Sequence, residues 1–151
     1  MRIVIVVRNQ ALRIASAVVR ALDFAERVTI LNLEEDEETL ELAERAGAEV
    51  ILHDGQTDAP TIAKALVSST EEGERTVIIS LDDDWKLSDM ARTIGLSRQG
   101  HDVFIAFKHR TMNRRVAENR PDSPVDSDTY TYADADIQFA YCSFSGLQAV
   151  A

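Results

Sequence analysis

The run from Val77 to Lys86, Val-Ile-Ile-Ser-Leu-Asp-Asp-Asp-Trp-Lys, joins an apolar stretch of strand length directly to three consecutive carboxylates. Open α/β sheets bind ligands outside the carboxyl ends of their strands. Carboxylate oxygens in an Asp-x-Asp arrangement suit a hard divalent cation such as Mg or Mn carrying a diphosphate. Asp82, Asp83 and Asp84 are therefore the first candidates for chemistry. The competing structural role is helix capping, in which an Asp satisfies free N–H groups and the positive end of a helix dipole. One Asp suffices for that, and this run has three.

Other α/β sites fail on the residues they require. A dinucleotide fingerprint needs Gly-x-Gly-x-x-Gly after the first strand, where this chain reads Val-Arg-Asn-Gln-Ala, and no Gly precedes a Lys as a phosphate-cradling loop demands. A phosphoacceptor site would want acids after the first strand; Lys108 fits its basic position, but Arg8 and Asn9 replace the acids. No Gly-x-Ser-x-Gly nucleophile elbow exists, and Ser143, Ser145 and Gly146 do not supply one. His53, His101 and His109 lack the close helical pairing of a zinc site and read as loop histidines.

Composition narrows the partners. A formal charge of -10 and a pI near 4.7 argue against nucleic acid, because phosphate contacts need clustered Lys and Arg. The same charge favours solubility and would also suit a salty cytoplasm. With 45% hydrophobic residues in 151, the chain can bury a core as one domain, 1-151. The lone Cys142 excludes an internal disulfide, fits a reducing cytosol, and reads as a small buried hydrophobe. Met1 to Val7 is too short for a signal segment or a membrane span. A cytoplasmic protein is the expectation.

The apolar pattern alternates between strand and helix lengths. Ile3 to Val7, Val28 to Leu31, Glu49 to Leu52, Thr76 to Leu81 and Val103 to Phe107 read as strands. Between them, Gln10 to Leu22 predicts a helix with Leu12, Ala15, Val18, Val19 and Leu22 inward, and Thr39 to Ala46 a second one stopped by Gly47. After a polar turn over 53–60, Thr61 to Ser69 is the third, and Leu87, Ala91 and Ile94 mark another closed by Gly95. Such alternation predicts a three-layer α/β/α fold with a mostly parallel sheet. Residues 109–136, rich in Pro and Asp and without a helical period, read as a long loop, and 137–151 as a terminal strand or helix.

The order of these segments resembles the N-terminal half of family 2 glycosyltransferases and related GT-A, Rossmann-like enzymes. Val7-Arg8-Asn9-Gln10 is similar to the family's Pro-x-x-Asn-Glu-like turn, and the stretch from Asn32 to Leu40 to its Asp-Asp-Gly-Ser-x-Asp. Leu81-Asp82-Asp83-Asp84 resembles its Leu-Asp-x-Asp-Asp motif, Asp102 to Lys108 its next strand, and Ser145-Gly146-Leu147 a Ser-Gly-Phe near the acceptor site. The resemblance implies that 1–108 is a nucleotide-binding half. It places Asn9, Asn32, Asp82 and Asp83 against the nucleotide, and Asp82 and Asp84 on Mg or Mn. The partners it implies are a nucleotide-diphospho-sugar and an acceptor hydroxyl, with a homo-oligomer compatible. A catalytic base would come from Asp126, Asp128, Asp134 or Asp136, which the sequence does not rank. Lys108, His109, Arg110, Arg114 and Arg115 would add diphosphate contacts.

The chain departs from that pattern where Asn32 and Leu33 replace acidic residues, and where Gly55 to Pro60 and Lys64 replace a Gly, Lys or Arg, and Asn set. The alternative is thus a catalytically inactive GT-A-like module that binds a nucleotide or a protein partner. A nucleotidyltransferase ranks lower, because its Gly-rich basic loop after the first strand is missing.

Overall fold

The computed structural model describes residues 1–8, 11–34, 36–53, 58–81, 95, 102–107 and 137–151. Six strands form one sheet: β1 (Arg2–Val7), β2 (Arg27–Asn32), β3 (Glu49–Leu52), β4 (Thr76–Leu81), β5 (Val103–Phe107) and β6 (Ile137–Cys142), in the spatial order β3-β2-β1-β4-β6-β5. The first four are mutually parallel, and β1 runs its whole length between β2 and β4. β6 enters antiparallel between β4 and β5, so β5 joins the sheet only through it. All six residues of β1 and of β4 are buried. This is why both read as unbroken apolar runs rather than alternating ones.

The pleat divides these strands between two cores. Ile3, Ile5 and Val7 pack with Val77 and Ile79 under α1 (Ala11–Leu22) and α2 (Glu37–Arg45). Val4, Val6 and Ile78 pack on the other face under α3 (Ala59–Val67) and the terminal helix α4 (Phe144–Val150). The three layers expected from the alternation are present. Cys142 lies in the second core, where burial pushes its thiol up to about 12.

Helix α1 keeps Val18 of the expected inward stripe and turns Leu12, Val19 and Leu22 outward. Ile14, Ala17, Val18 and Ala21 face the sheet, whereas Leu12 is fully exposed, and Val19 and Leu22 are exposed as well. Both sets recur at helical spacing, and the one carrying two alanines lets the helix approach the sheet closely. Pro60, expected in a turn, instead lies in the first turn of α3, where its missing N–H costs nothing. Gly47 ends α2 as expected, at φ 103, a conformation that L side chains rarely adopt. The residues after 144 form a helix capped by the Ser143 hydroxyl, which accepts from the Gly146 N–H at 3.0 Å. Gly95 is itself helical rather than a stop. The stripe Leu87, Ala91 and Ile94, the loop 109–136 and the basic run 108–115 lie outside the described residues.

At the amino edge of the sheet a polar network takes the place of apolar packing. Arg2 is fully buried and donates to Thr29 Oγ1 at 2.9 Å, Thr70 Oγ1 at 3.0 Å and Ser69 Oγ at 2.9 Å. Burial, with Arg27 close by, lowers its guanidinium below the ordinary arginine value. Arg27 bridges Glu49 at 3.0 Å and Glu74 at 3.1 Å. Its hydrogen bonds hold the Glu49 carboxyl below the usual glutamate range. A carboxyl depressed in the native state contributes stability that is complete above its unfolded value of 4.5 and is lost as the pH falls through the lower native value. Arg27→Gln is therefore expected to flatten the dependence of unfolding midpoint on pH below 4.5. Superimposable acid limbs in wild type and variant would remove Glu49 from that role.

No helix among the described residues is long and apolar enough to cross a membrane.

Candidate functional site

The register aligns the ends of four parallel strands on one edge. Asn32, the last residue of β2, pairs with Val7 at the end of β1 and with Leu52 at the end of β3, while Val7 pairs with Leu81 at the end of β4. The chain thus leaves the sheet at Leu81 with Asp82 as its next residue. Asn32 and Leu81 flank Val7 on either side, two strand spacings or roughly 10 Å apart.

Asn32 is the polar residue that the described structure brings to this edge. It is fully buried, and its main-chain carbonyl accepts from the His53 N–H at 2.8 Å. Its side-chain Oδ1 accepts from the Glu34 N–H at 3.4 Å, a short loop of chain closed within two residues. Its Nδ2 is buried and has no hydrogen-bond partner among the described residues. Buried donors are nearly always paired. Next to it, the Leu33 N–H donates to Val7 O at 2.9 Å, locking the two strand ends together.

Arg8 continues β1 beyond the edge, with its Nε 4.0 Å from Glu34 Oε1 and both side chains largely exposed. A pair in that setting contributes less than about 1 kcal/mol. Arg8 therefore puts a guanidinium at the strand ends on a weak tether. Asn9 had drawn attention there, and no motif signal pointed to the arginine beside it.

Asp58 is accounted for by the fold. It is almost completely buried and caps α3, accepting from the Thr61 N–H at 3.2 Å and from the Thr61 hydroxyl at 2.8 Å. The signal was present in the sequence as Asp-Ala-Pro-Thr, a cap residue with Pro inside the first turn. Ser145, Gly146 and Leu147 belong to the opposite edge. Gly146 packs against the Asp102 carbonyl at the start of β5, next to Val103, which pairs with Cys142. This placement sets them a strand length from the carboxyl edge of β1, β2 and β4.

Asn9, Asp82, Asp83, Asp84, Asp126, Asp128, Asp134 and Asp136 lie outside the described residues. Among the described residues no group of three or more His, Cys, Asp or Glu could hold a metal.

No protein-family model matches the sequence, and no curated protein matches it. The fold is nevertheless similar to that of solved nucleotide-sugar enzymes of GT-A type. Glucosyl-3-phosphoglycerate synthase from Mycobacterium tuberculosis, solved with Mn2+, UDP and glucosyl-3-phosphoglycerate, superposes with a TM-score of 0.62 over 95% of this chain at 13% identity. Mannosyl-3-phosphoglycerate synthase from Rubrobacter xylanophilus gives 0.56 over 70% at 16% identity. CMP:2-keto-3-deoxy-manno-octonic acid synthetase in complex with CTP gives 0.56 over 97% at 15% identity. The matched regions span 56%, 39% and 75% of those three chains respectively. At identities this low the likeness shows the fold alone.

Proposed function

We propose that this protein binds a nucleotide-diphospho-sugar with a divalent metal at the carboxyl edge of β1, β2 and β4, and transfers the sugar to an acceptor hydroxyl. The observation that carries the proposal is the register: β4 ends at Leu81 beside Val7, on the edge where Asn32 ends β2 with its Nδ2 unpaired among the described residues, and the acidic triplet is next in the sequence. The separation across β1 is of the order of one nucleoside, so base and diphosphate can be held from β2 and β4. The neighbours support the reading, since one was solved with UDP and Mn2+ and another with CTP.

The donor set fits the metal. Asp82 and Asp84 offer only carboxylate oxygens, which suit Mg or Mn and not a soft metal. When bound, such an ion neutralises charge developing on a departing diphosphate. The protein's own residues then have two tasks. Asn9, Asn32, Asp82 and Asp83 orient the nucleotide, with Arg8 adding positive charge. A carboxylate among Asp126, Asp128, Asp134 and Asp136 accepts the acceptor's hydroxyl proton while the new glycosidic bond forms and the sugar–diphosphate bond breaks.

The test is thermal unfolding of the full chain with UDP, GDP, CDP, ADP and UDP- and GDP-sugars, with and without Mn2+. At least one nucleoside diphosphate is expected to raise the midpoint only when Mn2+ is present. No shift with any nucleotide, in metal or without it, would overturn the reading.

A further inference from the structure

Helix α1 carries apolar side chains on its outer face as well as its inner one. Leu12 is 100% exposed, Val19 56% and Leu22 38%, with Phe24 at 41% just past the helix end. Leu12, Ala15, Val19 and Leu22 recur at helical spacing as one stripe. Single exposed apolar residues are ordinary on a surface, whereas a continuous stripe marks an interaction face. Charge on either side of the stripe restricts what fits it. At about 100° per residue, Arg13 and Arg20 lie on the flank of α1 opposite to Leu22. The Leu22 flank faces α2, because Leu22 Cδ1 is 3.5 Å from where a Cβ on Gly47, just past the end of α2, would sit. α2 itself turns Glu37, Glu38, Glu41 and Glu44 to solvent, with Arg45 paired to Glu41. The face is thus an apolar stripe with a basic row on one side and an acidic helix on the other. The Leu22–Gly47 contact also sets the heights: Arg20 lies level with Glu41 and Glu44, and Arg13, two turns earlier, with Glu37 and Glu38.

We propose that this face pairs with the same face of a second copy of the chain, α1 against α1 and parallel, about a two-fold axis running along the helices. Such an axis exchanges left and right, so each copy's arginine row comes over the other's α2: Arg20 opposite Glu41 and Glu44, Arg13 opposite Glu37 and Glu38. An antiparallel pair, with the axis across the helices, keeps left on left and stacks acidic α2 on acidic α2. In the parallel pair the stripe residues meet along the axis, as apolar positions do in a parallel coiled coil. Asp23, beyond the helix end, is the like charge this arrangement brings near its own copy, and the arginine rows of both copies outweigh it. Helices of 12 and 9 residues span about 18 and 14 Å. A face of that size falls short of the roughly 800 Å² per partner of a standard interface, so the dimer is a weak and reversible one.

Sedimentation velocity of the full chain from about 10 μM to 1 mM, the range in which a small interface associates, tests this. Wild type is expected to pass from monomer to dimer across that range. Val19→Glu, at a position exposed in the monomer, should raise the dissociation constant at least about a hundredfold by setting two unpaired carboxylates on the axis. Arg20→Glu should raise it about tenfold, and adding Glu41→Arg and Glu44→Arg to that variant should restore it. A wild type that stays monomeric, a dimer indifferent to Val19→Glu or to Arg20→Glu, or a loss that the second reversal does not relieve would each overturn the inference. None of these outcomes bears on the nucleotide site.

Discussion

Asp84→Ala is expected to abolish the Mn2+-dependent thermal stabilisation by a nucleoside diphosphate. The size of the effect follows from linkage. A ligand present at a hundredfold excess over its dissociation constant stabilises the folded state by about 2.7 kcal/mol, or roughly 5–10 °C in midpoint for a chain of this length. Removing one of two carboxylates from a cation that keeps few protein ligands should lower affinity enough to erase that shift. Asp84→Asn, which retains the size and one oxygen but loses the charge, should weaken it too, because a neutral amide oxygen holds a divalent cation less strongly than a carboxylate. Equal stabilisation of wild type and Asp84→Ala would reject this metal site and leave metal-independent nucleotide binding to be explained by Arg8, Asn9 and Asn32.

The second large effect is expected at the opposite edge. An added Cβ at Gly146 would lie 2.1 Å from the Asp102 carbonyl oxygen, 2.9 Å from its carbon and 2.8 Å from Val103 Cγ2. The first two are backbone atoms, tied into the sheet by the Ser143 N–H donating to the same oxygen at 2.8 Å. Helix propensity alone would make Gly146→Ala favourable by up to about 1 kcal/mol. Steric overlap opposes it and wins: displacing α4 from β5 should cost about 3 kcal/mol and lower the unfolding midpoint by roughly 6–12 °C. Because this junction lies away from the carboxyl edge, nucleotide affinity measured well below that midpoint should be unchanged. A midpoint at or above that of wild type would show that α4 can shift freely.

How much of this was legible beforehand depended on whether a residue's role is local. β3, β4 and β5 could be bounded from the sequence to the residue, because each is a short apolar run that polar residues terminate, and in β4 the run is buried throughout. The inward face of α1 could not, since Leu12, Val19 and Leu22 form a stripe as regular as Ile14, Ala17, Val18 and Ala21. Only the sheet decides between them, and it takes the smaller side chains. Asp58 and Pro60 read as turn residues, although the same letters spell a helix start. The insertion of β6 between β4 and β5 has no local signature, because strand order is set by contacts remote in sequence. Asn32 was legible as a position and not as a chemistry. That its Oδ1 accepts from Glu34 while its Nδ2 is buried without a partner among the described residues follows from register and burial alone.

The inserted strand also sets an order of events. Residues 2–81 contain every partner that β1, β2 and β3 use, whereas the outer edge of β4 pairs only with β6, whose residues come more than fifty positions later. Among the described residues β5 has no other neighbour in the sheet, so its described pairing waits until β6 arrives. During synthesis the first four strands can therefore assemble while one side of β4 presents open N–H and C=O groups, an edge of the kind that invites pairing with other chains. Closing the sheet requires a contact of high sequence separation, which places the docking of β6 among the slow steps of folding.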